Sequence, residues 1–200
     1  MFTGIIHTLG HIEALQPLGA GIRAKLSHGF IDTDPLEIGE SIAVEGICST
    51  VLNPSPTHFE VDYLAETLEK TTADAFQVGA LLNLERSVSL HTRMGGHMVS
   101  GHVDERGQIL SFETDGTWSV LRIRFSPQNR KFLIPKGSIC ICGISLTIVD
   151  LTPDSFSCHL IPHTVAHTSL QAKKPGDWVN LEYDMVGKYL YQFSQVDWAK

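Results

Sequence analysis

The chain has 200 residues, is 42% hydrophobic and carries a formal net charge of −7. That apolar share is enough for packed cores and excludes a largely disordered chain, while the acidic balance excludes the basic face of a nucleic-acid binder. The start, "MFTGIIHTLG", has no basic region followed by a long apolar one, no run approaches membrane-spanning length, and four cysteines without a Cys-x-x-Cys read as reduced thiols, so a cytoplasmic protein without a membrane partner is expected.

Residues 2–85 can be laid on residues 99–182 without a gap. Gly4 meets Gly101, Gly10 meets Gly107, Gly46 meets Gly143, Thr50 meets Thr147 and Phe59 meets Phe156; "NLE" at 83–85 meets "NLE" at 180–182. The period is too long for a solenoid and suits a domain. We therefore expect barrels over 1–97 and 98–184 and a helix over 185–200.

In chain order, "SIAV" (41–44) reads as a short buried strand. Phe59, Val61 and Tyr63 alternate with polar residues, as a half-buried strand requires. "ETLEKTT" suggests a helical turn, and "ALLNLE" (80–85) another strand. The second half repeats the series with "SICI" (138–141), alternating Phe156, Cys158 and Leu160, and "HTVAHTS". Cys140 and Cys142 would share one face of a strand. Many short strands punctuated by Gly, Pro, Asn and Asp imply an all-β fold of small barrels or sandwiches. In the tail, Met185, Val186, Tyr189, Leu190, Phe193 and Val196 recur at helical spacing, an apolar stripe that needs its own barrel or another copy of the chain to cover it.

Two segments carry chemistry. "GICSTV" around Cys48 and "GISLTI" around Ser145 occupy the same place in the two halves. A lone Cys is more often a small buried hydrophobe than a nucleophile, and "GISLT" lacks the second Gly of a nucleophile elbow. What raises both is their equivalence in a duplicated domain. The junction "MGGHMVSGHVD" (94–104) holds His97 and His102. Their odd spacing on a strand would place them on opposite faces, poor for a shared metal. His97 reads as a joint residue bonded to a backbone carbonyl. His102 stands where the first half has Ile5, so a titratable imidazole has been added to one copy alone.

"MFTGII", "GICSTV", "MGGHMVSGHVD", "KGSICICGISLTI", "HLIPHT" and "NLEYDMVGKY" together resemble the riboflavin synthase family, across nearly the whole chain and in order. The resemblance implies two similar six-stranded Greek-key β-barrels with a C-terminal α-helix at the centre of a homotrimer. It implies dismutation of two molecules of 6,7-dimethyl-8-ribityllumazine, bound between the N-barrel of one subunit and the C-barrel of its neighbour, with no cofactor or metal. Lumazine synthase is a candidate protein partner on the same ground. The rival reading is a relative that binds lumazine or flavin without turning it over. A flavoreductase-type barrel is disfavoured, for want of a Gly-rich nicotinamide-binding segment.

Carried over by position, Thr3, Gly4, Ile5 and Ile6 match the loop lining the N-pocket. Cys48, Ser49 and Thr50 match its thiol segment, and Asp62, Tyr63, Leu64, Ala65, Glu66 and Thr67 the strand and turn that hold the ribityl chain. For the C-pocket the matches are Gly101, His102 and Val103, then Lys136, Ser145, Leu146 and Thr147, then Leu160, Ile161, Pro162, His163, Thr164 and Val165. His102 and Ser145 are the expected proton-handling groups, Cys48 serves the opposing pocket, and Asp184 orients. Three residues depart from the family's pattern: Ser49 where Leu is usual, Cys142 where Asp is usual, and His163 where Glu is usual. Cys142 is the departure expected to matter most for the C-pocket.

Overall fold

The computed structural model of the chain describes residues 1–30 and 34–196. Each half folds into a six-stranded antiparallel sheet. The first contains β1 (Thr8–Leu18), β2 (Gly21–Ser27), β3 (Ser41–Val44), β4 (Ile47–Thr50), β5 (His58–Tyr63) and β6 (Leu81–Arg86), in the order β4-β3-β6-β1-β2-β5. The second contains β7 (Glu105–Asp115), β8 (Trp118–Arg124), β9 (Ser138–Ile141), β10 (Ile144–Leu151), β11 (Ser155–Leu160) and β12 (Trp178–Tyr183), and closes as a barrel. Hairpin pairs alternate with neighbours that are distant in sequence, as a Greek key requires: β2 pairs with β5, and β6 lies between β1 and β3.

Closure differs between the halves. β10 continues to Leu151 and pairs with β11, whereas β4 stops at Thr50 and meets β5 only through the single bridge Leu52–Glu60. Pro54 and Pro56 follow β4 and can donate nothing to a ladder. Short helices α1 (Ala65–Lys70) and α2 (Pro162–Ala166) stand where helical turns are expected.

Each barrel has its own core. Phe59, Val61, Leu26, Ile42 and Leu84 are buried in the first, and Phe156, Cys158, Ile123, Ile139 and Leu181 in the second. Cys140 and Cys142 do not share a face. Cys142 has left the strand for the β9–β10 turn (φ 48°) and joins the second core, while Cys140 packs with Phe2, Ala43 and Val99 between the barrels. All four cysteines are free.

The barrels are joined about a local twofold by the doubled asparagines. Asn83 donates through Nδ2 to the Cys142 carbonyl (2.9 Å) and accepts at Oδ1 from the Ser169 amide (2.6 Å). Asn180 does the same with the Glu45 carbonyl (2.9 Å) and the Thr72 amide (2.8 Å). Both side chains are buried. Asn83→Ala would strand two backbone groups, at about 1–3 kcal/mol each. A loss of roughly 2–6 kcal/mol in urea unfolding is therefore expected from that principle, and a loss within error would show that these crossing bonds are dispensable.

The tail helix α3 runs Met185–Ser194, shorter than the span 185–200; Val196 lies just beyond its end and residues 197–200 lie outside the described ones. One face sits on its own barrel, where Tyr191 meets Phe132 edge-on and Lys188 reaches Asp104 at 2.9 Å. The other, with Val186, Tyr189, Leu190 and Phe193, is exposed. Among the described residues no helix is long and apolar enough to cross a membrane.

Candidate functional site

The hairpins β3–β4 and β9–β10 turn on two residues each, Glu45-Gly46 (φ 50° and 78°) and Cys142-Gly143 (φ 48° and 84°). Two successive positive φ values are the geometry of the tight primed turn. The turns meet back to back: a Cβ on Gly46 would lie 2.6 Å from the Gly143 nitrogen, so only glycine fits. This contact sets β4 and β10, and with them Cys48 and Ser145, on either side of the local twofold.

Strand alternation then sorts the residues. Cys48 is half-buried and Thr50 exposed on one face of β4; Ser145 is half-buried and Thr147 exposed on one face of β10. Ser49 and Leu146 point the other way. Ser49 is buried and shares a 3.1 Å hydrogen bond with the Tyr63 hydroxyl, its own Oγ also reaching the Ile47 carbonyl at 3.0 Å. The matching pair in the second barrel is Leu146 and Leu160. Ser49 in place of Leu is thus one half of a polar exchange inside the first barrel, satisfied by Tyr63. Burial holds the Tyr63 phenol well above its ordinary range.

The flanking loops are exchanged. Ser145 N–H donates to the Gly4 carbonyl at 2.7 Å, and Cys48 N–H donates to the Gly101 carbonyl at 2.8 Å. Ile6 packs on the second core and Val103 on the first. This corrects the grouping by position in the chain. The opening loop, Thr3 to Ile6, serves the Ser145 barrel, and the loop of Gly101, His102 and Val103 serves the Cys48 barrel. The cause is the bridge between Phe2 and Val99, which runs the two segments antiparallel and delivers each to the opposite barrel.

His102 is exposed and follows the Gly101 carbonyl that holds Cys48; it accompanies the thiol rather than Ser145. The imidazole beside Ser145 is that of His97, whose Nδ1 is 2.7 Å from Ser145 Oγ; the ring tautomer decides which of the two donates. The carbonyl bond expected of His97 is made by its backbone N–H, which donates to Thr3 (3.1 Å), and the ring is left to Ser145. Nor are the two histidines on one strand; both lie in loop. Gly96 permits the approach, since a Cβ there would come within 2.2 Å of the Thr3 carbonyl and 2.6 Å of Ser145 Cβ. Burial lowers the His97 pKa, with the Asp184 carboxylate acting the other way, and so favours the neutral ring. The sequence signal for His97 is the Gly-Gly pair before it; comparing the halves misses it, because His97 lies ahead of the second copy of the repeat, which begins at Val99.

The remaining candidates are spread around these two centres. The Asp62 carboxylate accepts two bonds from Arg23 (2.7 and 2.8 Å), which hold its pKa below the usual range. Leu64, Ala65 and Glu66 are exposed and Thr67 is half-buried at α1. Ile161, Pro162 and His163 are exposed at α2, with Thr164 and Val165 half-buried, and His163 stacks on His167. Leu160 is buried in the second core. Lys136 is exposed, and its backbone N–H donates to the Ile148 carbonyl. Asp184 caps α3, accepting from the Val186 amide at 2.9 Å. Cys142 is not exposed in a pocket. It is fully buried against Glu45, and burial raises its thiol pKa. The departure from Asp therefore bears on the joint between barrels. A cleft of about 720 Å³, lined by Thr72, Arg106, Ser169, Lys173 and Trp178 among others, contains neither Cys48 nor Ser145.

Comparison with known proteins follows the duplication. The lumazine binding domain matches residues 3–87 and again 100–184. Riboflavin synthase of Actinobacillus pleuropneumoniae is 42% identical over 195 residues, covering 96% of this chain and 89% of that one. Riboflavin synthase of Bacillus subtilis is 40% identical over 193 residues with the same coverage. Among solved structures, LumP complexed with riboflavin superposes with a TM-score of 0.83 at 20% identity, over 92% of this chain and 99% of that one, a likeness of fold.

Proposed function

The chain belongs to the lumazine binding domain family, in the branch of the riboflavin synthases, and from that premise we propose that it is itself a riboflavin synthase. Two molecules of 6,7-dimethyl-8-ribityllumazine exchange a four-carbon unit, giving riboflavin and 5-amino-6-(D-ribitylamino)uracil. One observation supports the reading beyond the names: the chain presents two homologous positions of different chemistry, Cys48 under the loop that carries His102 and Ser145 with His97 at its hydroxyl. A dismutation needs that inequality, because identical substrates must play donor and acceptor.

The C7 methyl of the lumazine is acidic, since its anion delocalises into the heterocycle, so a modest base can take its proton. We assign that transfer to His102, exposed in the loop whose Gly101 carbonyl holds the Cys48 amide. Ser145, with the His97 ring at its hydroxyl, can orient water or a nucleophile toward C7 of the other molecule. Holding both ligands in register can lower the barrier by about 7–11 kcal/mol. The exposed hydroxyls of Thr50 and Thr147 and the Lys136 ammonium suit a polyol and a pyrimidinedione.

The finer picture is that of a homotrimer in the cytoplasm, assembled through α3, with each site between the N-barrel of one copy and the C-barrel of the next. The units are 1–97, 98–184 and a tail over 185–200, with lumazine synthase as a candidate partner. The open placement of both centres on a single chain and the exposed face of α3 support it. A lumazine- or flavin-binding relative without turnover is the lesser reading; the relatives 40–42% identical are synthases, while LumP is 20% identical.

The deciding experiment is incubation with the lumazine alone and assay for riboflavin. One riboflavin per two lumazines consumed is expected; tight binding without consumption would move the chain to the binding class. His102→Gln should lower turnover about 10²–10⁴-fold, with riboflavin affinity changed far less. Turnover near wild type in the pure variant would remove His102 from proton transfer.

A further inference from the structure

The doubled "NLE" uses its asparagines to join the barrels; its glutamates do something else. Glu85 and Glu182 are 1% and 2% exposed. Neither forms an ion pair within 4 Å among the described residues, so each buried carboxylate rests chiefly on hydrogen bonds, with His7 adding a weaker attraction at Glu85. Glu85 Oε1 accepts from the Thr3 amide and the Thr3 hydroxyl, both at 2.7 Å, and its Oε2 accepts from the Gly4 amide at 3.0 Å. Glu182 repeats this with the Ser100 amide and hydroxyl, both at 2.7 Å, and the Gly101 amide at 2.9 Å. Burying a charge is expensive, and three donors converging on two oxygens is what offsets it.

The clamped glycines are those whose carbonyls hold the reacting strands. Gly4, fixed by Glu85, accepts from the Ser145 amide; Gly101, fixed by Glu182, accepts from the Cys48 amide. The contacts beyond the glycines are close as well: a Cβ on Gly4 would lie 2.6 Å from Ser145 Cβ, and one on Gly101 2.6 Å from Cys48 Cβ. The loop hydroxyls also brace the next residue, since the His102 amide donates to Ser100 Oγ at 3.3 Å and the Ile5 amide to Thr3 Oγ1 at 3.2 Å. Each carboxylate thus acts on a centre in the opposite barrel through one glycine residue.

We propose that Glu85 and Glu182 are positioning residues of the reaction, each locking one exchanged loop and thereby setting the distance between that loop and Ser145 or Cys48. The catalytic part of this rests on the riboflavin synthase reading; the mechanical part does not. Glutamine would keep the volume but not the function. Its NH₂ would face a backbone N–H, donor against donor, and the loop would have to withdraw. A misplacement of about 1 Å can cost on the order of 10²-fold in rate.

Cys48 supplies a readout independent of turnover, because it is half-buried under Gly101 while Cys140, Cys142 and Cys158 are fully buried. The experiment measures, on full-length Glu182→Gln, Ser100→Ala and Glu85→Gln, the rate of Cys48 alkylation by iodoacetamide, kcat and KM for the lumazine, and the thermal midpoint. Glu182→Gln should raise the labelling rate severalfold and lower kcat about 10–100-fold with KM little moved. Ser100→Ala, which removes one of the three donors, should shift both in the same direction by less. Glu85→Gln should lower kcat while leaving Cys48 labelling at the wild-type rate, because its loop lies against Ser145. Folded Glu182→Gln with wild-type labelling, or with wild-type kcat at a lowered thermal midpoint, would overturn the proposal. If Glu182→Gln does not fold, Ser100→Ala decides, and unchanged labelling and kcat in it would overturn the proposal too. Failure of the wild-type chain to make riboflavin would sink the functional reading, and the labelling rates would still judge the clamp.

Discussion

Cutting the chain after Asp184 is expected to leave folded monomers that make no riboflavin. Helix α3 has two faces with different work. Gly187, Lys188 and Tyr191 face the second barrel: the Lys131 ammonium lies 4.4 Å from the Tyr191 ring centroid, and a Cβ on Gly187 would be 3.2 Å from the Phe132 carbonyl. Val186, Tyr189, Leu190 and Phe193 are 48%, 61%, 65% and 53% exposed, a continuous apolar strip along a ten-residue helix. Truncation removes both faces, so a milder variant is needed beside it. Leu190→Asp leaves the anchoring face intact and places a charge in the middle of the strip. Both proteins should sediment as monomers, and both should lose turnover altogether, because each proposed site needs two chains. A truncated chain that sediments as a trimer would refute the role of α3. A monomer with wild-type turnover would refute a site shared between subunits.

The fold was legible because the repeat and the alternation are both local. "SIAV" and "SICI" coincide with β3 and β9, and Phe59, Val61 and Tyr63 with the buried face of β5. The exchange of loops was not legible. Laying one half on the other shows that Gly4 corresponds to Gly101 but cannot show which barrel either touches; that is fixed by the Phe2–Val99 bridge, a contact between the halves. The same limit hid the partner of Ser145. His102 drew notice by breaking the repeat at Ile5, while His97, 2.7 Å from the hydroxyl, lies outside any comparison of the two copies. Ser49 looked like a departure in a binding segment until Tyr63, fourteen positions on, supplied its partner. Cys142 looked like a lost pocket carboxylate, yet its φ of 48° turns it into the joint with Glu45. In each case the missing information is which face of a strand or turn meets the other barrel, and that is a property of the pair.

The pairing itself yields the other large effect, in residues 1–97 expressed alone. The first barrel keeps its core of Ile12, Leu26, Ile42, Phe59, Val61 and Leu84, so it should fold. It would leave unpaired the Cys48 amide, the Gly4 carbonyl, the Thr72 amide and the Asn83 side chain, all of which bond to the second half in the full chain. A second copy turned about the same twofold offers every missing partner. Its Gly4 carbonyl takes the place of Gly101 at Cys48, its Asn83 takes the place of Asn180 at Thr72 and Glu45, and Gly46 meets Gly46 where it now meets Gly143. Buried groups left unpaired cost about 1–3 kcal/mol each, so the fragment should sediment as a twofold dimer. It should bind riboflavin, seen as a fluorescence change on titration, because Thr50 and the segment from Asp62 to Thr67 are present in both copies. It should make none from the lumazine. In such a dimer both loops carry Ile5 and both strands carry Cys48, so His102, His97-with-Ser145 and the inequality of the two centres are all absent. Appreciable riboflavin synthesis by the fragment would sink the claim that the second half supplies the chemistry. A folded dimer that binds no flavin would sink the claim that each copy of the motif builds its own pocket. A monomer that binds as well as a dimer would separate ligand binding from the twofold joint, and place the demand for two unequal barrels on catalysis alone.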